Sequence, residues 1–284
     1  MKKFTTTFVC SFACALFFCS TICSERAVKE NRETGAFRKI NMGSGIDVYF
    51  TQNDSYSVVV ETDKDLIGKI ATEVKGETLV INWKEHLKLS FSVFKGRGAK
   101  VYVSAPALEA VNAGGGADFY ADQLKCDGSF QLDISGGADA DIKKLAVSQD
   151  IDFSSSGGAD IQVGEITVGG KANLSSSGGA DVHIGHITVS GKTKIASSGG
   201  ADCDVKNLQT DECDLTARGG ADIDIHVTVS GNLNASESGG SDIDISGKAN
   251  KVDVSASGGG NIDIRELTYN SINIQKSGGG GVRQ

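Results

Sequence analysis

Ser198-Gly199-Gly200-Ala201-Asp202 is one copy of a five-residue phrase that returns almost unchanged from residue 114 to the C-terminus. The aspartate of its Gly-Gly-Ala-Asp core falls at Asp118, Asp139, Asp160, Asp181, Asp202, Asp222 and Asp242, and Asn261 closes the series at nearly constant spacing. A degenerate copy, Gly278 to Gly281, follows. A period of roughly 20 residues marks an array of small units that stack on one another, in place of a single globular core.

Within one period, read from Gly157 to Ser177, the apolar residues Ala159, Ile161 and Val163 alternate, then Ile166 and Val168, then Ala172 and Leu174. Alternation of period two puts these on one face and Asp160, Gln162, Thr167 and Asn173 on the other. Parity breaks at Gly164-Glu165, at Gly169-Gly170-Lys171 and at the Gly-Gly pair, where the chain turns a corner. Three short strands and three corners describe one coil of a parallel β-solenoid whose inward residues stack on those of the next coil. The fold read from the sequence is therefore all-β, a parallel β-solenoid (β-helix) of about eight or nine coils, capped by a less regular N-terminal β section. Closely and evenly spaced glycine-rich turns also suit a meander of antiparallel hairpins. The in-register repeat of the whole three-strand unit favours the solenoid.

Composition agrees with a β-rich protein of small core residues: 37 Gly, 1 Pro, 6% aromatic residues and a formal charge of -8 in 284 residues. That acidic balance argues against a nucleic-acid partner, which selects a basic face. Residues 1–23 read as a signal peptide, with Lys2 and Lys3 before an apolar run from Phe8 to Phe18, and place the mature protein outside the cytoplasm, in the periplasm or on the outer-membrane surface. Cys23 offers a lipid anchor as the alternative to ordinary cleavage. Of the 7 cysteines, Cys126, Cys203 and Cys213 lie beyond the leader, each at an apolar position of the repeat, and read as buried small hydrophobes. The polar residues 24–35 read as a flexible tether. Strands are expected over 46–51, 56–61, 78–83 and 100–104, with a capped turn at Thr62 to Leu66. Residues 83 to 98, rich in aromatic and lysine side chains, read as a lid over the first coil or as a contact surface.

Gly45-Ile46-Asp47-Val48-Tyr49-Phe50-Thr51-Gln52, a Val-rich strand, an Asp-Leu-Ile turn and Val101-Tyr102-Val103-Ser104-Ala105-Pro106-Ala107-Leu108 precede the Gly-Gly-Asp phrases. This order of motifs, over about residues 36 to 265, resembles the autotransporter adhesin head, GIN domain family, known mainly from exported proteins of Bacteroides-like bacteria. The resemblance implies an exported β-solenoid-like domain with no established catalytic activity. Residues 36–104 then form the N-terminal β section of the head GIN domain, and 105–284 the repeat solenoid.

Two outward columns follow the Gly-Gly corner. One is the Asp118 to Asp242 series. The other, two residues on, holds Asp141, Asp204, Asp224, Asp244 and Asp263, interrupted by Gln162 and His183. At a strand spacing of about 4.8 Å, neighbouring carboxylates repel by roughly 1 kcal/mol in water. The offset comes from hydrogen bonds of Ser, Gly or strand backbone amides, from nearby lysines or from bound cations. Asp202, Asp204, Asp222, Asp224, Asp242 and Asp244 are the candidate calcium ligands. A non-enzymatic surface protein presenting this acidic face to a protein or glycan is the leading reading. The alternative is a polysaccharide-active β-helix enzyme, with calcium on the aspartates and an Arg or Lys as base; Arg218 and Arg265 are the arginines of the array proper, and neither sits beside a long insertion. Ile272 and Ile274 lie on a final strand with no complete coil after it, an edge that invites a partner or weak self-association.

Overall fold

The computed structural model describes residues 27–43, 45–84 and 98–284. The expected signal peptide with Cys23, and residues 85–97 of the aromatic lysine-rich piece, lie outside the described residues. From residue 110 onward the chain is a parallel β-solenoid. Asp139–Val147 pairs in parallel with Asp160–Val168, that strand with Asp181–Val189, and that one with Asp202–Thr210. A second parallel stack joins Ile151–Gly157, Ala172–Gly178, Lys192–Gly199 and Glu212–Gly219. The antiparallel meander is excluded for the array.

Each coil has three faces, but the first two belong to one strand. In Asp160–Val168 the two consecutive exposed residues Gly164 and Glu165 mark a bend where the register skips Gly164 without ending the strand. Residues 160–163 form the first face, 165–168 the second and 172–177 the third. In Asp222–Gly239 the strand also runs through the next corner, where the register shifts between Val229 and Asn232. The inward residues stack as the repeat requires: Ile161, Val182, Cys203, Ile223 and Ile243 form one buried column. Burying each such aliphatic side chain contributes about 1.5–3 kcal/mol, so the core is a sum of many similar small terms.

The Gly-Gly corner is where the chain passes from the third face to the first face of the next coil. Gly199 has φ +85°, and a Cβ there would lie 3.0 Å from the Gly178 carbonyl oxygen. Both conformation and space demand glycine at this position. The amide of Gly200 donates to that same carbonyl at 2.7 Å, and Gly220 repeats the bond to Gly199 at 2.7 Å.

The N-terminal section departs from a simple succession of coils. Its strands are β1 (Val28–Asn31), β2 (Lys39–Gly43), β3 (Ile46–Gln52), β4 (Ser57–Thr62), β5 (Ile70–Lys75), β6 (Thr78–Trp83), β7 (Ala99–Ala105), β8 (Ala110–Gly114) and β9 (Phe119–Cys126). β2 pairs with both β6 and β8, and β3 with both β7 and β9. The later pair β6 and β7 therefore lies outside the earlier pair β2 and β3, and the chain steps back over a coil to reach β8. Antiparallel strands close this end: β4 on β7, β1 on β4 and β5 on β6. The turn expected at Thr62 to Leu66 is present, with Leu66 N–H on the Asp63 carbonyl at 2.9 Å, and leads into a 3-10 turn at Ile67–Lys69. The tether expected over 24–35 is corrected in its described part. Val28–Asn31 is ordered as β1 because the exposed edge of β4 supplies backbone partners that the polar side chains do not need to bury.

At the other end, Leu267–Gly278 pairs with Asp242–Gly258, and Ile272, Ile274 and Val282 pack half-buried against the core. Lys276 is in register with buried Ala256, and its ammonium donates to the Val282 carbonyl at 3.3 Å. A charge at an inward position of an edge strand opposes pairing with another chain.

The facing is tested by a pair of substitutions. Ala201 is fully buried beside the corner, so Ala201→Leu overpacks the core and costs about 1–3 kcal/mol. Asp202→Asn is expected to leave stability unchanged or raised. Chemical denaturation of the two variants measures the difference, and equal losses would mean that the facing is wrong.

Candidate functional site: an acidic first face with an aromatic end

The first face carries both aspartate columns in unbroken register. Asp139, Asp160, Asp181, Asp202, Asp222, Asp242 and Asn261 are successive partners, and so are Asp141, Gln162, His183, Asp204, Asp224, Asp244 and Asp263. Asp202, Asp222, Asp224, Asp242 and Asp244 are exposed, and Asp204 is half-buried.

Backbone amides answer part of the repulsion in the first column. Asp118 Oδ1 accepts the Asp139 amide at 3.2 Å, Asp222 Oδ1 the Asp242 amide at 3.2 Å, and Asp242 Oδ1 the Asn261 amide at 2.7 Å. Each carboxylate thus tethers the coil after it. Desolvation first, then the charge of neighbouring aspartates, raises the carboxyls of Asp139, Asp160 and Asp202. Asp244 is raised by burial and then by Asp263, Asp224 and Asp242. The lysines do not relieve this. Lys143 binds Asp122, Lys144 binds Glu165 at 2.9 Å, and Lys192 binds Asp214 at 2.6 Å, all away from the columns.

At the C-terminal end the second column is neutralised. Arg265 Nη2 sits 2.6 Å from Asp263 Oδ2, and Arg283 Nη1 is 4.0 Å from the same oxygen. Hydrogen bonding by Arg265 holds the Asp263 carboxyl below the ordinary range.

The calcium and enzyme readings required convergence. Among the described residues no three His, Cys, Asp or Glu side chains are placed to hold one metal ion. Arg218 stands in the serine column of the third face, between Ser198 and Ser238, while Arg265 is tied to Asp263. Arg218 lies apart from both aspartate columns, whereas Arg265 lines one pocket with Asp224, Asp244 and Asp263. A groove of about 750 Å³ runs past Gln52, Lys125, Lys144 and Glu165 on the second face, away from both columns. Cys126, Cys203 and Cys213 are free and buried, and desolvation pushes the Cys203 thiol up to about 12.

The sequence reading missed the aromatic end of this face. Tyr49 stacks on Tyr102 with centroids 5.4 Å apart and on Tyr120 at 4.9 Å, and Tyr120 is the register partner of Asp141. The three rings thus continue the second aspartate column toward the N-terminus. Lys29 and Lys100 lie over the faces of Tyr102 and Tyr49, at 4.8 and 5.7 Å. Tyr102 donates to Glu61 Oε2 at 2.8 Å, and Tyr120 to Asp118 Oδ2 at 3.2 Å. Burial, then Asp118, pushes the Tyr120 hydroxyl up to about 12. The signal was present in the shared position of the three tyrosines, two residues after Asp47, Lys100 and Asp118, but only the interlaced strand order makes them neighbours.

This repeat, with its N-terminal β cap and acidic ladder, defines a parallel β-solenoid domain, and similarity to known proteins specifies it. The family model described as "Putative auto-transporter adhesin, head GIN domain" matches residues 36–230 and again 186–283. The chain belongs to that family. Similar solved structures include a "putative adhesin" from Bacteroides fragilis (18% identity, TM-score 0.61, covering 92% of this chain and 97% of that one). A "putative adhesin" from Parabacteroides distasonis (17%, TM-score 0.71, 92% and 98%) has the same fold. So does a "Putative lipid binding protein" from the same organism (15%, TM-score 0.69, 92% and 98%). At these identities the likeness establishes the fold alone. No curated protein matches the chain.

The ladder makes a prediction with a definite sign. A carboxyl raised in the folded state favours folding when protonated, and that contribution is lost as pH rises through its raised value. Asp160→Asn with Asp202→Asn keeps an acceptor for the next coil's amide and removes two charges. The double variant is expected to melt higher than the wild type at pH 7 and low salt, with the gap closing toward pH 4 and at high salt. Calcium at millimolar concentration is expected to give no saturable rise in wild-type melting temperature. A saturable rise, abolished by neutralising Asp202, Asp204, Asp222 and Asp224, would make the columns ion sites.

Proposed function

We propose that this is a non-catalytic, exported, adhesin-like protein that presents the first face of its solenoid to a partner with a basic surface. The carrying observation is the ladder of exposed aspartates, in register over successive coils and without cationic partners among the described residues except at Asp263. Like-charge repulsion along the ladder falls when a cationic surface docks, so the folded array already holds a cost that such a partner relieves. A basic protein surface fits better than an anionic glycan. The tyrosine stack adds an aromatic anchor at one end of the same face. Short rigid coils without long inserted loops suit presentation more than catalysis.

Export through the 1–23 leader belongs to this reading, with either a cleaved N-terminus or an acylated Cys23, which the mass of the mature chain distinguishes. Among the described residues no helix is long and apolar enough to cross a membrane.

Adhesion of the protein to surfaces coated with a lysine-rich protein or with an anionic polysaccharide tests the proposal. Replacing Asp202, Asp204, Asp222 and Asp224 by Asn should weaken binding to the basic surface by about tenfold or more. A charge-matched control at Asp127, Asp133, Asp152 and Asp211 should lose far less. Equal losses, or preference for the anionic polysaccharide, would remove the first face from the account.

The open edge at Ile272 and Ile274 is proposed as the place of weak self-association, restrained by Lys276. Sedimentation over a hundredfold concentration range should show average mass rising further in Lys276→Val and falling in Ile274→Lys. Identical monomeric profiles for all three proteins would show that the edge takes no second copy.

A further inference from the structure

Glu237 is an ionisable side chain in the solenoid interior, 1% exposed, and its Oε1 has no hydrogen-bond partner. Its column, read along the array, is Ile134, Ser155, Ser176, Ser197, Ala217, Glu237, Ala256 and Lys276. Serines in this column are hydrogen-bond donors across the Gly-Gly corner. Ser155 Oγ donates to the carbonyl of Ala159 and Ser197 Oγ to that of Ala201, each at 2.6 Å and each four residues on. Ser176 donates within the column, to Ser197 Oγ at 2.9 Å. The residue four on from Glu237 is Ser241, the counterpart of Ala159 and Ala201.

The surroundings are fitted to the larger side chain. Glu237 lies between Ala217 and Ala256, and Gly260 replaces the alanine or serine found at its position in the preceding coils. A Cβ on Gly260 would lie 2.6 Å from Glu237 Oε1 and 1.8 Å from the Ser241 carbonyl oxygen, so both oxygens crowd the same point. The other carboxyl oxygen, Oε2, accepts the Ser257 amide at 3.1 Å. The corner amide that donates to Ala159 and Ala201 from Asp181 and Asp222 has its counterpart in Asn261, whose amide goes to Asp242 Oδ1 at 2.7 Å. Glu237 Oε1 and the Ser241 carbonyl thus border the same space beside Gly260, where a carboxylate offers no donor. A carboxylic acid supplies the missing donor.

We propose that Glu237 is held as a neutral carboxylic acid whose O–H replaces the serine hydroxyl of earlier coils, donating toward Ser241 and latching the corner between them through a proton. Burial raises this carboxyl, the Ser257 and Gly260 amides pull it partly back, and Asp242 adds to the rise. Asp242 is the charged group that acts on it. Lys276, in the same column beyond Ala256, directs its ammonium to the Val282 carbonyl. The latch is complete below the ordinary glutamate value and is lost as pH rises through the raised one.

The test reads the proton directly, in the wild-type protein just above the ordinary glutamate value, where an unperturbed glutamate is mostly ionised. The infrared difference between wild type and Glu237→Gln is expected to show the carbonyl stretch of a protonated acid. Carboxyl carbon resonances of glutamate-labelled wild type should report the same proton without any variant. Glu237→Gln keeps a donor for Ser241 and an acceptor for the Ser257 amide, so its melting temperature relative to wild type should rise as pH increases through the raised glutamate value. An ionised-carboxylate signal in the wild type just above the ordinary glutamate value, or a melting-temperature difference that does not change with pH, would overturn the proposal.

Discussion

The structure depends on one backbone contact repeated at the corners from Gly179 onward: the amide of the second glycine on the carbonyl of the first glycine one coil earlier, 2.8 Å at Gly179 and 2.7 Å at Gly200, Gly220 and Gly240. The first glycine of each pair has positive φ, from +82° to +94° between Gly157 and Gly239. Such a corner leaves no room for slippage. A shift of one residue along a strand would exchange inner and outer side chains and move a non-glycine residue into the left-handed position. Register is therefore fixed at the corner, and every position in the repeat becomes a column.

Columns multiply whatever a position carries. On the outside this gives the aspartate ladder, whose repulsion solvent and backbone amides moderate, and the tyrosine stack that extends it. Inside, a polar side chain must satisfy its groups within the interior, as Ser155 and Ser197 do at the corner and Ser176 does along its column. A carboxyl is accommodated only where both neighbours in the column are alanines and the facing residue is glycine. The outer face can bear unbalanced charge because water screens it, and the inner one cannot.

The array was legible in the sequence because its period, its alternation and its punctuation all describe one unit. The inward facing of Ile161 and Ala201, the stacking of Asp202 on Asp222, and the burial of the three cysteines followed from that pattern. The N-terminal section was not legible in the same way. Nothing in the local pattern of β2, β3, β6 and β7 states that the later pair lies outside the earlier one, because strand order is a property of long-range packing. The tyrosine stack depends on that order. β1 was missed because its pairing uses only backbone groups, which leave no apolar signature in 28–31. Glu237 could have been found: it interrupts a column of Ser and Ala, and the next Gly-Gly phrase changes its alanine to Gly260.

The central claim is that equivalent residues of successive coils stand one strand spacing apart. Spin labels on Asp181→Cys with Asp202→Cys, in a chain whose other mature cysteines are replaced by alanine or serine, measure this directly. The account predicts strong spin exchange for that pair, at about 5 Å between backbones, and weaker dipolar broadening for Asp160→Cys with Asp202→Cys, two coils apart. Spectra from both pairs that match the sum of their single labels would contradict it.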